Sequence, residues 1–341
     1  MNASGVGSAS RRPRLGFLGV GWIGRNRLQA IVEADVADVV AIADPSAACR
    51  DAARAIAPTA TLCEHLGQLL EHPLDGIVIA TPSALHADHA LAALARGKAV
   101  FCQKPLGRSG DEARRVVDAA RAADRLLGVD LSYRHTSAVK AVAPIVRTGG
   151  IGRVFAVDLA FHNAYGPEAA WFYDRAQSGG GCVIDLGVHL LDLALWILAF
   201  PEIEHVDSHL FQAGFTPLPD ATEDFASVQM TLAGGVVLRL SCSWRVSAGR
   251  DCVIEARMFG TNGGVAITNV GGSFYDFVAE RYRGTRAELL VEPPDAWGGR
   301  AAIAWVDQLS RSPRFHLGAE EYVAVAHALD RIYEAGARQE R

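Results

Sequence analysis

An aspartate and a histidine stand four residues apart in an apolar segment that follows three consecutive glycines. Residues 178–196 read SGGGCVIDLGVHLLDLALW. At about 100° per residue, four of the side chains fall in a stripe about 60° wide on one face of a helix: Asp185, His189, Asp192 and Trp196. A helix this apolar is expected to be buried, and an unpaired carboxylate or imidazole would then cost several kcal/mol. The pattern favours acid–base chemistry, in which His189 exchanges a proton with a substrate hydroxyl and Asp185 orients or binds.

Two other interpretations of the Asp185–His189 pair stay open. The two side chains could form a satisfied core pair that pins the helix. A D-x-x-x-H pair could also bind a metal ion, although the sequence places no third ligand at a telling spacing. We therefore predict no metal site.

A glycine-rich turn lies between a predicted strand and a predicted helix. Its sequence, GVGWIG, matches G-x-G-x-x-G. The first glycine allows a tight turn, the second lets the backbone approach a pyrophosphate, and the third permits close helix packing. Free N–H groups of the helix then face the phosphates. The turn predicts a dinucleotide site that includes Gly19, Gly21, Trp22, Ile23 and Gly24.

Asp44 ends the next predicted strand, twenty residues after Gly24. A carboxylate there can accept hydrogen bonds from the ribose hydroxyls of NAD and repels the 2′-phosphate of NADP. No arginine immediately follows Asp44. NAD is therefore predicted in preference to NADP. The alternative to a dinucleotide site is a plain glycine-rich turn with Asp44 as its cap.

Further candidates follow two later strands, at the sheet edge where ligands gather in open α/β folds. Lys104 could donate to a substrate oxygen or shift the pKa of the group that loses its proton. The plain alternative is a surface lysine at a strand end. Ser83 could contact the cofactor or cap the following helix, and His86 with His89 is typical of a solvated helix face. The cofactor candidates here are Thr81, Pro82, Ser83, His86, Gln103 and Lys104.

The elements that must position these residues begin with alternating strand and helix patterns, at lengths typical of βαβ units. Continuous apolar runs such as GIVIAT (76–81) and KAVFCQ (98–103) indicate parallel strands covered on both faces. Helical patterns alternate with the predicted strands of this region, at 22–34, 45–57, 83–96 and 112–123. We predict an N-terminal Rossmann domain with a doubly wound parallel sheet over residues 14–132, after a disordered tail at 1–13.

After about residue 150 the pattern changes to period two. In 236–244 every second residue is apolar, while Arg239, Ser241 and Ser243 lie opposite, which indicates an antiparallel sheet with one buried face. Residues 133–341 are predicted to form an α+β domain with an open, mainly antiparallel sheet. Its long alternating strands favour a subunit interface, and hence a homodimer or homotetramer.

The overall composition argues against several classes of protein. A net charge of −5 disfavours nucleic acid as a partner. The sequence contains no run of about eighteen apolar residues, so no membrane span is predicted. Six cysteines without a CxxC pair favour buried free thiols in a reducing cytoplasm.

Taken together, these residues resemble the glucose–fructose oxidoreductase/inositol dehydrogenase/rhizopine-catabolism family over nearly the whole chain. The motifs are GVGWIG, the strand-end Asp44, TPSALHADHA, QKP and, above all, GGGCVIDLGVH. The resemblance implies Lys104, Asp185 and His189 as the catalytic trio. In that trio His189 would accept the proton and Lys104 would hydrogen-bond the reacting oxygen near the nicotinamide.

The resemblance also implies substrate-binding residues outside the trio. Tyr133 and Arg134 would lie near the substrate, and Trp171 begins a WFYD segment that leads into the glycines. His162, at the end of a predicted strand, is a further candidate. One departure stands out: the family's usual motif is Glu-Lys-Pro, and this sequence has Gln103, which could alter nicotinamide placement, local pKa values and cofactor preference.

The sequence thus predicts an NAD-dependent oxidoreductase that transfers a hydride between nicotinamide and a secondary alcohol of a sugar, inositol or related polyol. Three alternatives stay open: a redox-neutral NAD-dependent glycoside hydrolase, a non-catalytic dinucleotide-binding sensor, and a reductase of dihydrodiols or aldehydes. The complete trio argues against the sensor, because a sensor has no need of a proton acceptor.

Overall fold

The computed structural model describes residues 12–218 and 220–339. The predicted tail, 1–13, therefore lies mostly outside the described residues. Its last two residues are held against the fold. The Arg12 guanidinium pairs with Asp35 at 2.6 Å, and the Pro13 carbonyl accepts a hydrogen bond from the Asp38 backbone at 2.9 Å.

The N-terminal part is built on a six-stranded parallel sheet. Its strands are β1 (Arg14–Leu18), β2 (Asp38–Ala43), β3 (Thr61–Cys63), β4 (Gly76–Ile79), β5 (Ala99–Cys102) and β6 (Leu127–Val129). They lie in the order β3-β2-β1-β4-β5-β6, and all neighbours are parallel. This is the predicted doubly wound sheet, whose order reverses between β1 and β4.

Five helices connect these strands: α1 (Trp22–Glu33), α2 (Ala47–Ile56), α3 (Leu66–Leu70), α4 (His86–Ala95) and α5 (Gly110–Ala122). The sequence patterns did not predict β3 or α3, because elements of three and five residues are too short to show a period. Helix α2 begins after Ser46, whose hydroxyl accepts from the Cys49 backbone at 3.3 Å.

The C-terminal part is built on an eight-stranded sheet. Its strands are β7 (Val154–Asn163), β8 (Ile203–Phe211), β9 (Phe225–Leu232), β10 (Val236–Ser243), β11 (Cys252–Gly260), β12 (Gly263–Asn269), β13 (Phe277–Arg283) and β14 (Arg286–Val291). They lie in the order β14-β13-β12-β11-β7-β10-β9-β8. The mainly antiparallel prediction is confirmed, and β7 with β10 forms one parallel pair. On β10, Leu238 and Leu240 are buried and Arg239 is exposed.

The apolar glycine-led segment forms the core helix of this part. It comprises α7 (Arg175–Ser178), a π-helical turn (Val183–Gly187) and α8 (Val188–Ile197). By length and composition alone, Arg175–Ile197 could cross a membrane, and 83% of its most apolar window is buried inside the protein. Helix α6 (Ser137–Arg147) packs on the same sheet. The predicted burial of the helix that carries Asp185 and His189 is confirmed.

Helices from the end of the chain return to the first sheet. The rings of Trp305, on α9 (Arg300–Arg311), and Phe101 have centroids 5.6 Å apart. A Cβ atom on Gly76 or Gly128 would lie 2.7 or 2.6 Å from the Trp305 ring. The helix α10 (Glu320–Gln339) packs on α5 and on β8. The two sheets are therefore joined by the C-terminal helices as well as by the chain between them.

Candidate active site

A cavity of about 920 Å³ opens at the carboxyl edge of the parallel sheet and extends to the glycine-led helix. Such an edge is where open α/β folds bind ligands. Twelve of the predicted site residues line it: Gly21, Trp22, Ile23, Thr81, Ser83, His86, Gln103, Lys104, Tyr133, Trp171, Asp185 and His189. The fold thus gathers residues from distant parts of the sequence around one space.

The geometry of the three glycines in the GVGWIG turn is compatible with the three predicted roles. Gly19 adopts φ +82°, a left-handed conformation that a side chain would strain. A Cβ on Gly24 would lie 2.1 Å from the Gly19 carbonyl oxygen, whereas one on Gly21 would meet no atom within 4 Å. Gly21 lines the cavity at the N-terminus of α1. The turn therefore fits a pyrophosphate, since the backbone is open where a phosphate must approach.

Paired alanine substitutions should separate the packing role from the binding role in this turn. Gly24→Ala forces backbone apart and is expected to cost about 1–3 kcal/mol of stability. Gly21→Ala is expected to keep the wild-type melting temperature, because Gly21 has φ −60°, but to weaken dinucleotide binding. Thermal melts and calorimetric titration with NADH measure both quantities. Equal melting temperatures for the two variants would contradict this assignment.

Asp44 is bound to the turn itself. One carboxylate oxygen accepts from the Val20 backbone at 2.9 Å and the other from the Ser46 backbone at 2.8 Å. Arg50, six residues on, donates to the Asp44 carbonyl at 2.6 Å. Asp44 is buried and does not line the cavity. In this structure the carboxylate holds the second strand end against the glycine turn.

Lys104 forms the central ion pair of the cavity. Its Nζ donates to Asp185 Oδ1 at 2.8 Å and to the Asp185 carbonyl at 2.7 Å. The second oxygen, Oδ2, accepts from Trp244 Nε1 at 3.1 Å. The Lys104–Pro105 peptide bond is cis. An ammonium has three N–H groups, so one remains for a ligand oxygen, and Asp185 is held by Lys104 and Trp244 rather than by His189.

His189 lines the same cavity as this ion pair, and its ring packs against aromatic side chains. The ring centroids of His189 and Tyr133 are 4.8 Å apart, and those of His189 and Phe161 are 6.2 Å apart. Nδ1 is buried and has no hydrogen-bond partner among the described residues. Burial, and then the positive charges of Lys104 and Arg27, lower the pKa of His189 well below its usual value. A pKa lowered in this way favours the neutral imidazole, which is the form that can accept a proton.

A buried glutamate holds the start of the helix that carries Asp185 and His189. The Glu223 carboxylate accepts from the Gly181 backbone at 2.9 Å, from the Val183 backbone at 2.9 Å and from the Tyr333 hydroxyl at 2.9 Å. Burial raises the pKa of Glu223, and these donors oppose the rise. A Cβ on Gly181 would lie 1.9 Å from the Glu223 carbonyl oxygen, so this glycine is needed for close approach.

Two models of protein-family domains match this chain. A model described as an oxidoreductase family with an NAD-binding Rossmann fold matches residues 14–131. A model described as the GFO/IDH/MocA C-terminal domain matches residues 139–266. The chain belongs to the GFO/IDH/MocA family. The initials abbreviate the three-part name given above, and the resemblance that the motifs indicated is confirmed.

Several members of the family are similar along the sequence. The chain is 34% identical over 187 residues to the rhizopine catabolism protein MocA of Rhizobium meliloti, across 54% of this chain and 57% of that protein. It is 29% identical over 337 residues to an inositol 2-dehydrogenase of Acidothermus cellulolyticus, across 90% and 94%. In the first relatives compared, MocA among them, the matched region is less than two thirds of the relative's length.

Solved structures share the fold. GenD2 from gentamicin A biosynthesis, in complex with NAD, aligns with a TM-score of 0.81 at 23% identity over 99% of this chain and 98% of that one. KijD10, a 3-ketoreductase from Actinomadura kijaniata in complex with NADP and TDP-benzene, aligns with a TM-score of 0.82 at 22% identity over 95% and 98%. Because one neighbour holds NAD and the other NADP, the GFO/IDH/MocA fold accommodates either.

Two predicted substrate residues lie away from the cavity of this GFO/IDH/MocA protein. Arg134 donates to Asp192 at 2.9 Å and to Glu321 at 2.5 Å, forming a buried ion-pair network that joins α8 to α10. His162 pairs with the Ser243 hydroxyl at 2.8 Å. Neither residue lines the cavity, because each side chain finds its partner on a neighbouring element.

The strand-end residues of the family motif TPSALHADHA differ from their predicted roles in detail. His86 is buried, with both ring nitrogens 2.7 Å from a carbonyl oxygen, of Thr81 and of Pro105. It joins two strand ends and is not a solvated helix residue. Ser83 begins a 3₁₀ turn and caps nothing by its side chain. Pro82 directly precedes this turn and does not line the cavity. Gly19 and Gly24, in the glycine turn, do not line it either.

The sequence reasoning missed two kinds of residue that line the cavity in this family member. The first is a buried charged pair, Arg27 and Asp130. Asp130 directly follows β6, so the carboxyl-edge rule that selected Lys104 could have found it. The second is an aromatic group from loops far along the chain, for which no local pattern exists: Phe274, Tyr275 and Trp297.

Proposed function

We propose that the chain is an NAD-dependent dehydrogenase that oxidises a secondary alcohol of a sugar, inositol or related polyol. The observation that supports this most is that His189 and the Lys104–Asp185 ion pair line one cavity, which also includes the glycine turn; burial lowers the pKa of His189 and so favours its neutral form. Together they offer a proton acceptor and a cation for one reacting oxygen.

The chain's residues would divide the work in the following way. The glycine turn and the N-terminus of α1 would hold the pyrophosphate of the cofactor. When bound, the nicotinamide supplies the hydride acceptor. His189 would take the hydroxyl proton through Nε2, since its Nδ1 is buried. Lys104 would donate its remaining N–H to the same oxygen and stabilise the negative charge that develops there.

The cavity wall favours a carbohydrate as the substrate. Trp171 and Phe172 stack with ring centroids 3.8 Å apart at one side, and Tyr133 and Trp297 lie with centroids 5.0 Å apart at another. Aromatic faces suit the apolar C–H faces of a sugar ring, while Lys104 and His189 address its hydroxyls.

NAD remains the proposed cofactor. The Asp44 carboxylate at the end of β2 opposes a 2′-phosphate by charge, although its oxygens already accept two backbone N–H groups. A cytoplasmic location also stays a prediction, as does assembly as a homodimer or homotetramer through the open sheet.

The test is a spectrophotometric assay that follows reduced nicotinamide at about 340 nm. The purified chain would receive NAD or NADP with a panel of inositols, aldoses and sugar acids, and nitrophenyl glycosides in parallel. We expect NADH formation with one polyol class. Glycoside cleavage without net NADH would instead indicate the redox-neutral hydrolase, and dinucleotide binding without turnover of any compound would contradict a dehydrogenase for these substrates.

The pH profile should report the lowered pKa of His189. Oxidation requires the neutral imidazole, and a lowered pKa keeps that form populated at lower pH. We expect kcat/KM for oxidation to stay level as the pH falls through about 6.5, the usual histidine pKa, and to decline only in more acid solution. An acid limb centred at the usual histidine value would contradict His189 as the buried base.

A further inference from the structure

Three polar side chains form a buried cluster at the wall of the cavity. Asp130 Oδ2 accepts from Arg27 Nε at 2.5 Å and from Gln103 Nε2 at 2.5 Å. Asp130 is 1% exposed, and Arg27 and Gln103 are each 7% exposed. All three line the cavity. The cluster joins α1 to the carboxyl ends of β5 and β6, the strands next to Lys104.

The partner of Gln103 determines which way its amide faces. Asp130 forms an ion pair with Arg27, and a carboxylate in an ion pair only accepts hydrogen bonds. The amide nitrogen of Gln103 must therefore face Asp130. The amide oxygen points away from it, and it makes no hydrogen bond to a described residue and is not among the fully buried unpartnered atoms. Gln103 thus presents an acceptor oxygen toward the cavity.

The position of Gln103 indicates what that oxygen meets. In a doubly wound fold the pyrophosphate lies at the turn after β1, and the two halves of a dinucleotide extend to opposite sides of the switch point. Asp44, after β2, is on one side, and Gln103, after β5, is on the other. The half on the side of β5 would carry the nicotinamide, and the ribose attached to it offers hydroxyl donors.

The cluster also accounts for the departure from the Glu-Lys-Pro motif. A glutamate at position 103 would place a second carboxylate against Asp130, and two like charges at such a distance repel. Glutamine replaces that repulsion by a hydrogen bond and still offers an oxygen. The negative charge of the cluster is therefore carried by Asp130 rather than by residue 103.

We propose that Asp130 is a positioning residue that sets the orientation of the Gln103 amide, so that the Gln103 oxygen accepts a hydroxyl of the ribose beside the nicotinamide. This rests on the dinucleotide binding of the proposed function and not on its substrate. The arrangement is a donor–acceptor pair and is therefore reversible. Exchanging the two groups, by Gln103→Glu together with Asp130→Asn, would restore it, because the new asparagine amide can donate to the new glutamate carboxylate.

The test is a reciprocal exchange read by calorimetric titration with two ligands. ADP-ribose contains the second ribose without the nicotinamide, and ADP lacks that ribose. We expect Gln103→Glu to weaken ADP-ribose binding about tenfold, the effect of one hydrogen bond, and to leave ADP binding unchanged. The double variant Gln103→Glu/Asp130→Asn is expected to return the ADP-ribose affinity to within about threefold of the wild type.

A further single variant tests the ribose contact even if the double variant does not fold. Gln103→Leu leaves the Arg27–Asp130 ion pair intact and removes the acceptor, so the ratio of ADP-ribose to ADP affinity should fall as in Gln103→Glu. A double variant that binds ADP-ribose no better than Gln103→Glu would overturn the positioning role. An unchanged ratio in Gln103→Leu, or equal losses for both ligands, would overturn the ribose contact.

These titrations need neither substrate nor turnover. Failure to find a polyol substrate therefore leaves them unaffected. Absence of ADP and ADP-ribose binding by the wild-type chain would refute the dinucleotide site, and with it both this inference and the proposed function.

Discussion

Replacing His189 with asparagine is expected to lower kcat for alcohol oxidation by about two to four orders of magnitude. Asparagine keeps a polar side chain of similar reach but cannot accept a proton at neutral pH. The wild-type imidazole is partly open to the cavity, and its lowered pKa favours the neutral form; in the variant the substrate hydroxyl loses this acceptor. Steady-state kinetics with the polyol found in the panel assay measure the loss.

The control for this variant is cofactor binding. NADH affinity should stay within about threefold of the wild type, since the glycine turn is unchanged. His162→Asn is a matched control, because His162 pairs with Ser243 and does not line the cavity. Full turnover in His189→Asn, or an equal loss in His162→Asn, would refute His189 as the proton acceptor.

Replacing Lys104 with methionine is expected to lower kcat by about two to three orders of magnitude. Methionine keeps the length of the chain and removes the ammonium. Two losses follow: the developing oxyanion has no cation, and Asp185 keeps its Trp244 partner but loses its counter-ion. Kinetics and NADH titration together separate these from a loss of cofactor.

Lys98→Met is the matched control for this second variant. Lys98 precedes β5 at the other end of the same strand and donates to the Leu74 carbonyl at 2.9 Å, outside the cavity. It should retain wild-type kcat. Retention of kcat in Lys104→Met would refute the assignment. A loss of NADH binding in Lys104→Met alongside the loss of kcat would show that Lys104 acts on the cofactor instead.

The sequence predicted the fold and the cofactor turn because both depend on neighbours along the chain. Tight turns, close helix packing and parallel strands are set by residue types within about thirty positions. The GVGWIG turn shows this most clearly, since φ at Gly19 and the contact between Gly24 and Gly19 are local properties. The family motif around His189 was found in the same way, from the spacing of one segment.

Those patterns do not predict which side chains pair with one another across the fold. Helical spacing pairs Asp185 with His189, whereas the structure pairs it with Lys104, 81 positions away. The resemblance places Arg134 near the substrate, but Arg134 binds Asp192 and Glu321, 58 and 187 positions away. Each partner is decided by which elements the packing brings together.

By itself, the sequence determined a Rossmann domain, a second mainly antiparallel sheet and a set of candidate residues for acid–base and dinucleotide chemistry. Only the tertiary structure decided which candidates share one cavity, that burial lowers the pKa of His189, and that Gln103 donates a hydrogen bond to Asp130. The physical reason is that burial and charge depend on contacts between residues far apart in the chain. Those contacts exist only after both sheets and the C-terminal helices have packed together.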